Sequence, residues 1–532
     1  MKYALIGAKV TTNGIISSSS GDYAAGGGGG RHGAVAASPR AARHNPPAGP
    51  CARSSPMPPV QELTAARPPL TAVAVPRLAT GRGAVLAVLL LAALSFLAPS
   101  APTYDPWAWI IWGREVVHLD LSTVDGPSWK PLPVLLTTVF ALAGDLAPDL
   151  WLYAARVGAL AGVVFAFRVG RRLAGTAGGV AAAATYAIAP WTVRNAAFGN
   201  SEGLLVALAL AAVDRHAAGA HRVAFACGLG AALLRPEGWP LFVLYAAWLW
   251  WRDPGARRLV AAGLLALPAL WLLPELWGSG DPLRAMHRAQ TPRANSPAFA
   301  ESPVREVLRQ FADMLSVTLW LLPAVLGALA LALRAPRRDE LRLAGWLLVI
   351  AVVWVTEVAV MTSDGFSGNS RYLILPAAIA CVLAGATVGW ALRGLRTGTA
   401  GAVVGVAAAV VAFAVPWQGA MDRTFRSVEY QSGVTDGLAT VVERAGGAKR
   451  LLACGEPSTG PFQVPVVAWE LDVHAERVHL DPTVPAVAFR VRNIPSGPPA
   501  PALEAIGGEA GVRTFATGAG WRIVGRCRPG AR

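Results

Sequence analysis

The chain has 532 residues, of which 54% are hydrophobic and only 15% are charged. Soluble domains carry about a quarter charged residues, so this composition excludes an ordinary water-soluble protein. The formal net charge is +15, and all but four of the basic residues are arginines. In membrane proteins such residues collect in cytoplasmic loops, so the charge does not predict nucleic-acid binding. The five cysteines show no spacing typical of a zinc or iron–sulfur site.

The first 82 residues differ from the rest of the chain. They contain a serine run, a glycine run at 26–30 and a long Pro/Ala/Arg-rich stretch, with no periodic apolar pattern. Such a segment cannot bury enough apolar surface to offset the entropy lost on folding. The sequence therefore predicts a disordered, low-complexity region over 1–82.

Apolar segments follow one another over 83–417, each close to the roughly 20 residues that cross a bilayer. With the amino terminus in the cytoplasm, the arginine-rich loops fall on the cytoplasmic side, as the positive-inside rule requires. The stretch 131–147 is short and begins with prolines, so we interpret it as a helix at the outer membrane surface, within a large external loop 100–150. We predict about eleven transmembrane helices, at 83–99, 151–169, 174–190, 197–213, 222–235, 237–251, 259–277, 313–333, 343–361, 372–391 and 399–417.

The region 418–532 becomes polar again and predicts a small extracytoplasmic α/β domain. Cys454 and Cys527 lie there, and the sequence is compatible with a disulfide between them or with two separate thiols. The expected helices are 434–445 and 466–473, and the expected strands are 450–454, 487–492, 514–517 and 521–524.

The external loop 100–150 is the richest in candidate functional residues, because charges near a membrane are costly and are often retained for function. Asp105 follows the first span, and the aromatic segment 107–115 is suited to the membrane interface. The loop also contains Lys130, directly before Pro131. A carboxylate and a lysine at two helix ends can face one cavity, one deprotonating a hydroxyl and the other holding a phosphate.

This order of a first span, an acidic residue with aromatics, an interfacial helix and a Lys-Pro pair resembles the GT-C superfamily of membrane glycosyltransferases. The similarity is greatest to the branch of protein O-mannosyltransferases and lipid A aminoarabinose transferases, and it extends over about 83–395. Two positions depart from that pattern: Pro106 stands where many members have a second acidic residue, and the motif reads Lys-Pro-Leu-Pro rather than Lys-Pro-Pro. Further similar segments are Arg156, 170–173, 280–283 and 369–372.

The resemblance implies an all-α polytopic membrane protein that acts as an inverting glycosyltransferase of the hexosyltransferase type. Its donor would be a polyprenyl-phosphate-linked sugar, and its acceptor an extracytoplasmic glycan, lipid or protein of the cell envelope. In this pattern Asp105 is the general base and Lys130 binds the donor phosphate. Neither a metal nor a cofactor is implied, and the expected partners are membrane lipids and the two substrates, with no nucleic acid.

Further substrate-binding candidates lie at the external ends of predicted spans, namely Arg194, Glu202, Arg371 and Tyr372. Each has an alternative interpretation that the sequence leaves open. Glu202 would otherwise pair with Arg194, and Arg371 would anchor its span at the interface. Asp105 would cap a helix, and Lys130 would extend to the membrane surface.

Two other charged groups also have competing interpretations. Arg235 and Glu237 are expected to pair with each other at a tight turn between two short spans. Loop 278–312, with Arg284, His287, Arg288 and Arg293, either faces an anionic substrate or lipid headgroup or argues against the predicted topology.

Three other functions are compatible with a membrane protein of this kind. A glycan polymerase or ligase would use similar lipid-linked substrates without a carboxylate after the first span. A transporter would place ionisable residues near the membrane midplane. A non-catalytic scaffold for envelope assembly would tolerate the loss of Asp105.

Overall fold

The computed structural model describes residues 81–528, and the segment predicted to be disordered lies almost entirely outside this range. The helices are α1 (Arg82–Leu94), α2 (Tyr104–Val117), α3 (Pro131–Ala141), α4 (Ala147–Ala187), α5 (Pro190–Ala197), α6 (Glu202–Ala217), α7 (His221–Ala232), α8 (Trp239–Arg252), α9 (Arg257–Ser279), α10 (Arg284–Ala289), α11 (Pro303–Ala332), α12 (Arg338–Ser363), α13 (Ile374–Gly394), α14 (Thr399–Ala414), α15 (Gln418–Arg444), α16 (Gly447–Cys454) and α17 (Val464–Glu470). The strands are β1 (Glu456–Thr459), β2 (Ala486–Arg492), β3 (Pro499–Ala500), β4 (Arg513–Gly518) and β5 (Trp521–Arg526).

Fewer helices reach membrane-spanning length than the sequence predicts. The pair α5 and α6, bent by 118°, counts as one span in addition to the six stretches named below if its two halves are taken together. The helices α1, α7 and α8 have 13, 12 and 14 residues, which is below the roughly 20 that a bilayer requires. The predicted number of eleven is therefore not confirmed. Six stretches within residues 81–528 are long and apolar enough to cross a membrane, namely 144–187, 254–279, 303–332, 338–363, 370–394 and 399–444.

The longest helix, α4, is a hairpin that contains two of the predicted spans. Its backbone leaves the helical region at Ala174 and at Gly175, whose φ is 74°. Glycine adopts this conformation without steric strain. A Cβ on Gly170 would lie only 2.8 Å from the Cβ of Ala182, which shows that the two halves pack side by side. The interruption expected between these two spans is therefore present.

Helix α13 lies at the centre of the helical bundle, and most of its residues are buried. Gly385 and Gly389 approach α4 so closely that an added Cβ would clash with Ala182 and Ala174. Small residues permit this close approach of helices in a membrane protein. The turn directly before α13 carries two of the predicted site residues, so this packing fixes where they lie.

The terminal domain, residues 418–528 here, combines α15 to α17 with a small sheet of strand order β1-β2-β5-β4, in which β3 pairs with β2. Strand β1 is parallel to β2, and the remaining pairs are antiparallel. The predicted strand at 450–454 is wrong, because these residues form the end of α16. A disulfide joins Cys454 to Cys527, which decides between the two alternatives that the sequence left open.

The aromatic segment 107–115, which the sequence predicts at the membrane interface, forms the middle of α2, and most of its side chains are buried within the protein. The ring of Trp109 packs edge-on against Trp151, and Trp112 Nε1 donates to the carbonyl of Ser122 at 3.0 Å. Helix α3 and helix α17 of the terminal domain both pack against α2. Large amphipathic rings are equally suited to either environment, so composition alone does not separate them.

Charged side chains join α2 to the terminal domain. Arg114 Nη1 lies 2.8 Å from Asp472 Oδ1. The imidazole of His474 contacts two carboxylates, with Nδ1 at 2.8 Å from Glu115 Oε1 and Nε2 at 3.1 Å from Asp120 Oδ2. These contacts hold the terminal domain against the helix whose first turn carries the predicted base.

Two of these groups have altered proton affinities. Burial raises the pKa of Glu115 to about 7, although the Ser122 amide and His474 both bond to its carboxylate. Burial alone would lower the pKa of His474, but the hydrogen bonds and charges of Glu115 and Asp120 outweigh it and raise that pKa. Both groups therefore hold protons more tightly in the docked state, so docking loses stability as the pH rises through about 7.

We expect the contact between α2 and the terminal domain to be more stable at about pH 6 than at about pH 8. Hydrogen–deuterium exchange over 469–476, corrected for the intrinsic effect of pH, should show greater protection at the lower pH. The double variant Glu115→Gln/His474→Gln removes both titrating groups, so its protection should be nearly equal at the two pH values. Asp472→Asn should keep the difference between the two pH values, because it leaves both Glu115 and His474 in place. A pH difference in the double variant equal to that of the wild type would contradict this account.

Candidate active site

A cavity of about 1450 Å³, called the basic cavity below, lies between the bundle and the terminal domain. Five of the six predicted site residues line it, and Glu202 lies behind its wall. The charged side chains that line it are mostly positive, with seven cations and three carboxylates. The cations are Lys130, Arg194, Arg235, Arg288, Arg293, Arg371 and Arg423, and the carboxylates are Asp105, Glu237 and Asp313.

Asp105 and Arg371 form an ion pair in the basic cavity, with Arg371 Nη2 at 3.0 Å from Asp105 Oδ2. About a quarter of each side chain is exposed, so a ligand can reach both. The N-cap position of α2 is occupied by Thr103. Asp105 therefore lies within the first turn and is not the helix cap that the sequence also permitted.

Glu202, the first residue of α6, holds two arginines from other parts of the chain. Its Oε1 accepts from Arg371 Nε at 3.0 Å and from Arg235 Nη2 at 2.5 Å. Only 1% of Glu202 is exposed. The pairing with Arg194 that the sequence permitted is not the one observed. Glu202 does not line the cavity itself, but it holds in place Arg235 and Arg371, which do.

Arg235 has a larger role than the sequence predicted. The turn between α7 and α8 is present, but Arg235 Nη1 lies 3.9 Å from Glu237 Oε1, farther than from Glu202. Its guanidinium lies 4.3 Å from the ring centroid of Tyr372. The signal in the sequence is an Arg-Pro-Glu segment inside an apolar run, where charges are costly.

Lys130 is a buried cation that forms no ion pair with any residue in the described part of the chain. Its Nζ lies 3.5 Å from Ser201 Oγ and 5.0 Å from the ring centroid of Trp109. Burial, together with the positive charge of Arg235, lowers the pKa of Lys130 to about 7. Lys130 does not extend to the membrane surface, so its position favours binding of an anion within the cavity.

The basic loop before α11 divides between two roles. Arg288 and Arg293 line the cavity, which favours the interpretation that this loop faces an anionic ligand. Arg284 instead donates to the backbone carbonyl of Pro127 at 2.6 Å and has a structural role. Arg423 of α15 also lines the cavity, and no spacing in the sequence distinguishes it from other arginines of its amphipathic helix.

The arrangement can hold a phosphate among cations beside a carboxylate able to accept a proton. Within residues 81–528, no three His, Cys, Asp or Glu side chains are grouped closely enough to hold a metal ion. That the reaction needs no metal stays a prediction.

No family model matches the chain, and no curated protein matches its sequence. The structure is similar to that of ArnT from Cupriavidus metallidurans bound to undecaprenyl phosphate, with a TM-score of 0.56 and 15% identity over 83% of this chain and 97% of that one. ArnT in the apo state gives a TM-score of 0.54 at the same identity and coverage. An oligosaccharyltransferase from Archaeoglobus fulgidus reaches only 0.36 at 14% identity, over 74% and 59% of the two chains. The first two similarities show that the chain shares the fold of ArnT.

Replacing Glu202 with alanine should destabilise the protein, because it leaves two arginines without their shared carboxylate. Breaking a buried ion pair costs about 3–5 kcal/mol, so the melting temperature of the purified protein in detergent should fall clearly. Glu301→Ala is the matched control, since Glu301 is exposed in a loop. Equal melting temperatures for the two variants would mean that the arginines do not depend on Glu202.

Proposed function

We propose that the protein is an inverting glycosyltransferase of the hexosyltransferase type, which moves a sugar from a polyprenyl-phosphate-linked donor to an extracytoplasmic acceptor of the cell envelope. The observation that carries the proposal is the basic cavity, which holds the Asp105–Arg371 pair together with Lys130, a lysine that has no carboxylate partner among residues 81–528. ArnT, which shares the fold, has been solved with undecaprenyl phosphate bound. That structure supports a lipid phosphate as the donor group.

The donor phosphate would lie against Lys130, Arg371 and Arg194. An arginine fork matches the geometry of phosphate oxygens, and a lysine supplies a compact positive charge. Tyr372 lies beside them and carries Arg235 over its ring. As the bond to the sugar breaks, negative charge builds on the departing phosphate, and these fixed cations stabilise it.

Asp105 would act as the general base. It takes the proton from an acceptor hydroxyl while that oxygen forms a bond to the anomeric carbon. The bond from this carbon to the phosphate oxygen breaks, and the electron pair leaves with the lipid phosphate, so the configuration inverts. A bound phosphate also competes with Asp105 for Arg371. Donor binding would therefore weaken the ion pair and free the carboxylate to contact the acceptor hydroxyl.

The same proposal assigns sides to the membrane. Disulfides persist in oxidising compartments outside the cytoplasm, so the Cys454–Cys527 bond supports an extracytoplasmic terminal domain. The amino terminus is proposed to lie in the cytoplasm on separate grounds, namely the distribution of arginines along the chain. The reaction is proposed to need no metal and no cofactor, because the lipid-linked sugar is itself an activated donor.

Asp105→Asn should abolish transfer while leaving the fold intact. Loss of a general base lowers rates by about 10²- to 10⁴-fold. Mass spectrometry of envelope glycolipids, polysaccharide and exported glycoproteins, in a deletion strain complemented with equally expressed variants, measures this directly. Wild type and Asp125→Asn, an exposed carboxylate of the same loop, should restore the missing sugar. Full restoration by Asp105→Asn would instead favour the polymerase or ligase, the transporter or the scaffold.

Binding of undecaprenyl phosphate to the purified protein should weaken as the pH rises above about 7, where Lys130 loses its proton. A bound phosphate raises the pKa of this lysine, so binding takes up a proton. Lys130→Arg keeps its positive charge at all these pH values, so it should remove the part of the pH dependence of affinity that comes from Lys130. It also controls for the ionisation of the phosphate itself, whose second pKa is about 6. Identical pH profiles of affinity for the two proteins would rule out Lys130 as the ligand.

A further inference from the structure

The basic cavity has two walls of different character. Six of its seven cations and all three of its carboxylates come from the part of the chain before the terminal domain, and Arg423 is the only charged residue that 418–528 contributes. The other polar side chains on the terminal-domain wall are hydroxyls and amides, called the amide face below. They are Thr424, Ser427, Gln431, Thr435, Gln463 and Asn493.

One side of helix α15 provides four members of the amide face. They follow one another at intervals of three or four residues, at Thr424, Ser427, Gln431 and Thr435. This spacing places side chains on one face of a helix, and all four are buried or half-buried. Helix α15 also packs against α5, which carries Arg194. The polar stripe therefore faces the cavity beside a proposed phosphate ligand.

The three amides form a hydrogen-bonded network. Gln431 Nε2 donates to the backbone carbonyl of Asn493 at 2.7 Å, and Gln463 Nε2 donates to Asn493 Oδ1 at 3.3 Å. Gln463 is only 5% exposed, so its position is fixed by packing as well. A side-chain amide has two N–H donors and an oxygen with two lone pairs. These bonds therefore hold the amides in place and leave each with donors or acceptors for a ligand.

The chemistry of this wall suits an uncharged sugar. A sugar hydroxyl both donates and accepts hydrogen bonds, as amide and hydroxyl side chains do, whereas a guanidinium only donates and a carboxylate only accepts. Phe462 and Ile494, which are 39% and 55% exposed, add apolar surface on the same wall. Ligand sites commonly combine such apolar surface with a few well-placed polar groups.

A peptide is another ligand rich in donors and acceptors, but the wall is not built for one. Extended peptides commonly bind by adding a strand to an open sheet edge. None of the five strands of the described terminal domain contributes a residue to the cavity. The wall consists instead of α15, the start of α17 and the segment after β2. This arrangement favours a compact ring held by several side chains over an extended chain.

We infer that the amide face binds an uncharged sugar ring, while the cations on the other wall bind the lipid phosphate. The inference rests on the proposed function, since it assigns the sugar-binding part of the same site. Helix α17, which begins directly after Gln463, packs against α2, whose first turn carries Asp105. Both the sugar of the donor and a sugar of the acceptor have this chemistry, and the experiment separates the two.

The test measures binding to the full-length protein in lipid nanodiscs. Free neutral hexose and pentose oligosaccharides represent the acceptor. Undecaprenyl phosphate, bare or linked to a neutral hexose or pentose, represents the donor. Unglycosylated peptides that contain serine and threonine are the third set of probes.

Gln431→Met/Gln463→Met removes two amides at nearly constant side-chain length. It should lose about tenfold in affinity for the free oligosaccharides if the amide face holds the acceptor, or for the sugar-linked lipid if it holds the donor sugar. Gln431→Met alone changes a half-buried position and should lose about threefold, which guards against a folding defect in the double variant. Gln418→Met makes the same change at an exposed position of α15 outside the cavity, and it should bind like the wild type.

Bare undecaprenyl phosphate separates the two levels of the argument. It should bind equally to the wild type and the glutamine variants, and more weakly to Lys130→Met. If it does so, yet no neutral sugar binds in either form, or the double variant keeps full affinity for every neutral sugar, the inference is overturned and the donor proposal stands. Binding of the peptides in place of the sugars, lost in the double variant, also overturns it. If undecaprenyl phosphate does not bind the wild type, the proposed function itself fails, and the free oligosaccharides still test the amide face.

Discussion

One buried carboxylate, that of Glu202, organises the interior of this protein. An ionised group away from water is tolerated only when it is paired and hydrogen-bonded, and Glu202 meets this condition through Arg235 and Arg371. Its two partners come from the turn between α7 and α8 and from the turn before α13, and Glu202 itself begins α6. Three distant parts of the chain must therefore meet at one point. Arg371 also forms an ion pair with Asp105. The position of the proposed base therefore depends on Glu202, which does not itself line the cavity.

The same network leaves an excess of positive charge in the cavity. Glu202 and Asp105 together offset two arginines, and Lys130 remains without a carboxylate partner in the described chain. Burial disfavours the charged form of this lysine, and the charges of Arg235 and Arg371 add to that effect; together they lower the pKa of Lys130. In the proposed reaction, the donor phosphate would offset this excess of positive charge. Its interactions would not have to be assembled during the reaction, because the cations are already in place.

The sequence predicts the part of this arrangement that depends on order along the chain. Asp105 after the first span and Lys130 before a proline could be located because helix ends and prolines leave a local pattern. The role of Arg235 depends on a contact with Glu202, 33 residues away, and no local pattern encodes it. The predicted number of spans is not confirmed, because an apolar run shows only composition, whereas the length of a helix is set by where helices such as α7 and α8 end. The burial of α2 escaped prediction for a similar reason, since rings suit lipid and protein equally.

The terminal domain contributes more to the site than a cover over it. Its helix α15 supplies Arg423, Ser427 and Gln431 to the lining of the basic cavity. The domain is also joined to α2 by charged contacts near the opposite end of that helix from Asp105. A displacement of the domain would therefore alter the basic cavity and the helix that carries the proposed base at the same time. A ligand that contacts groups of both the helical bundle and the terminal domain should in turn favour the docked arrangement, because it binds that arrangement better than a displaced one.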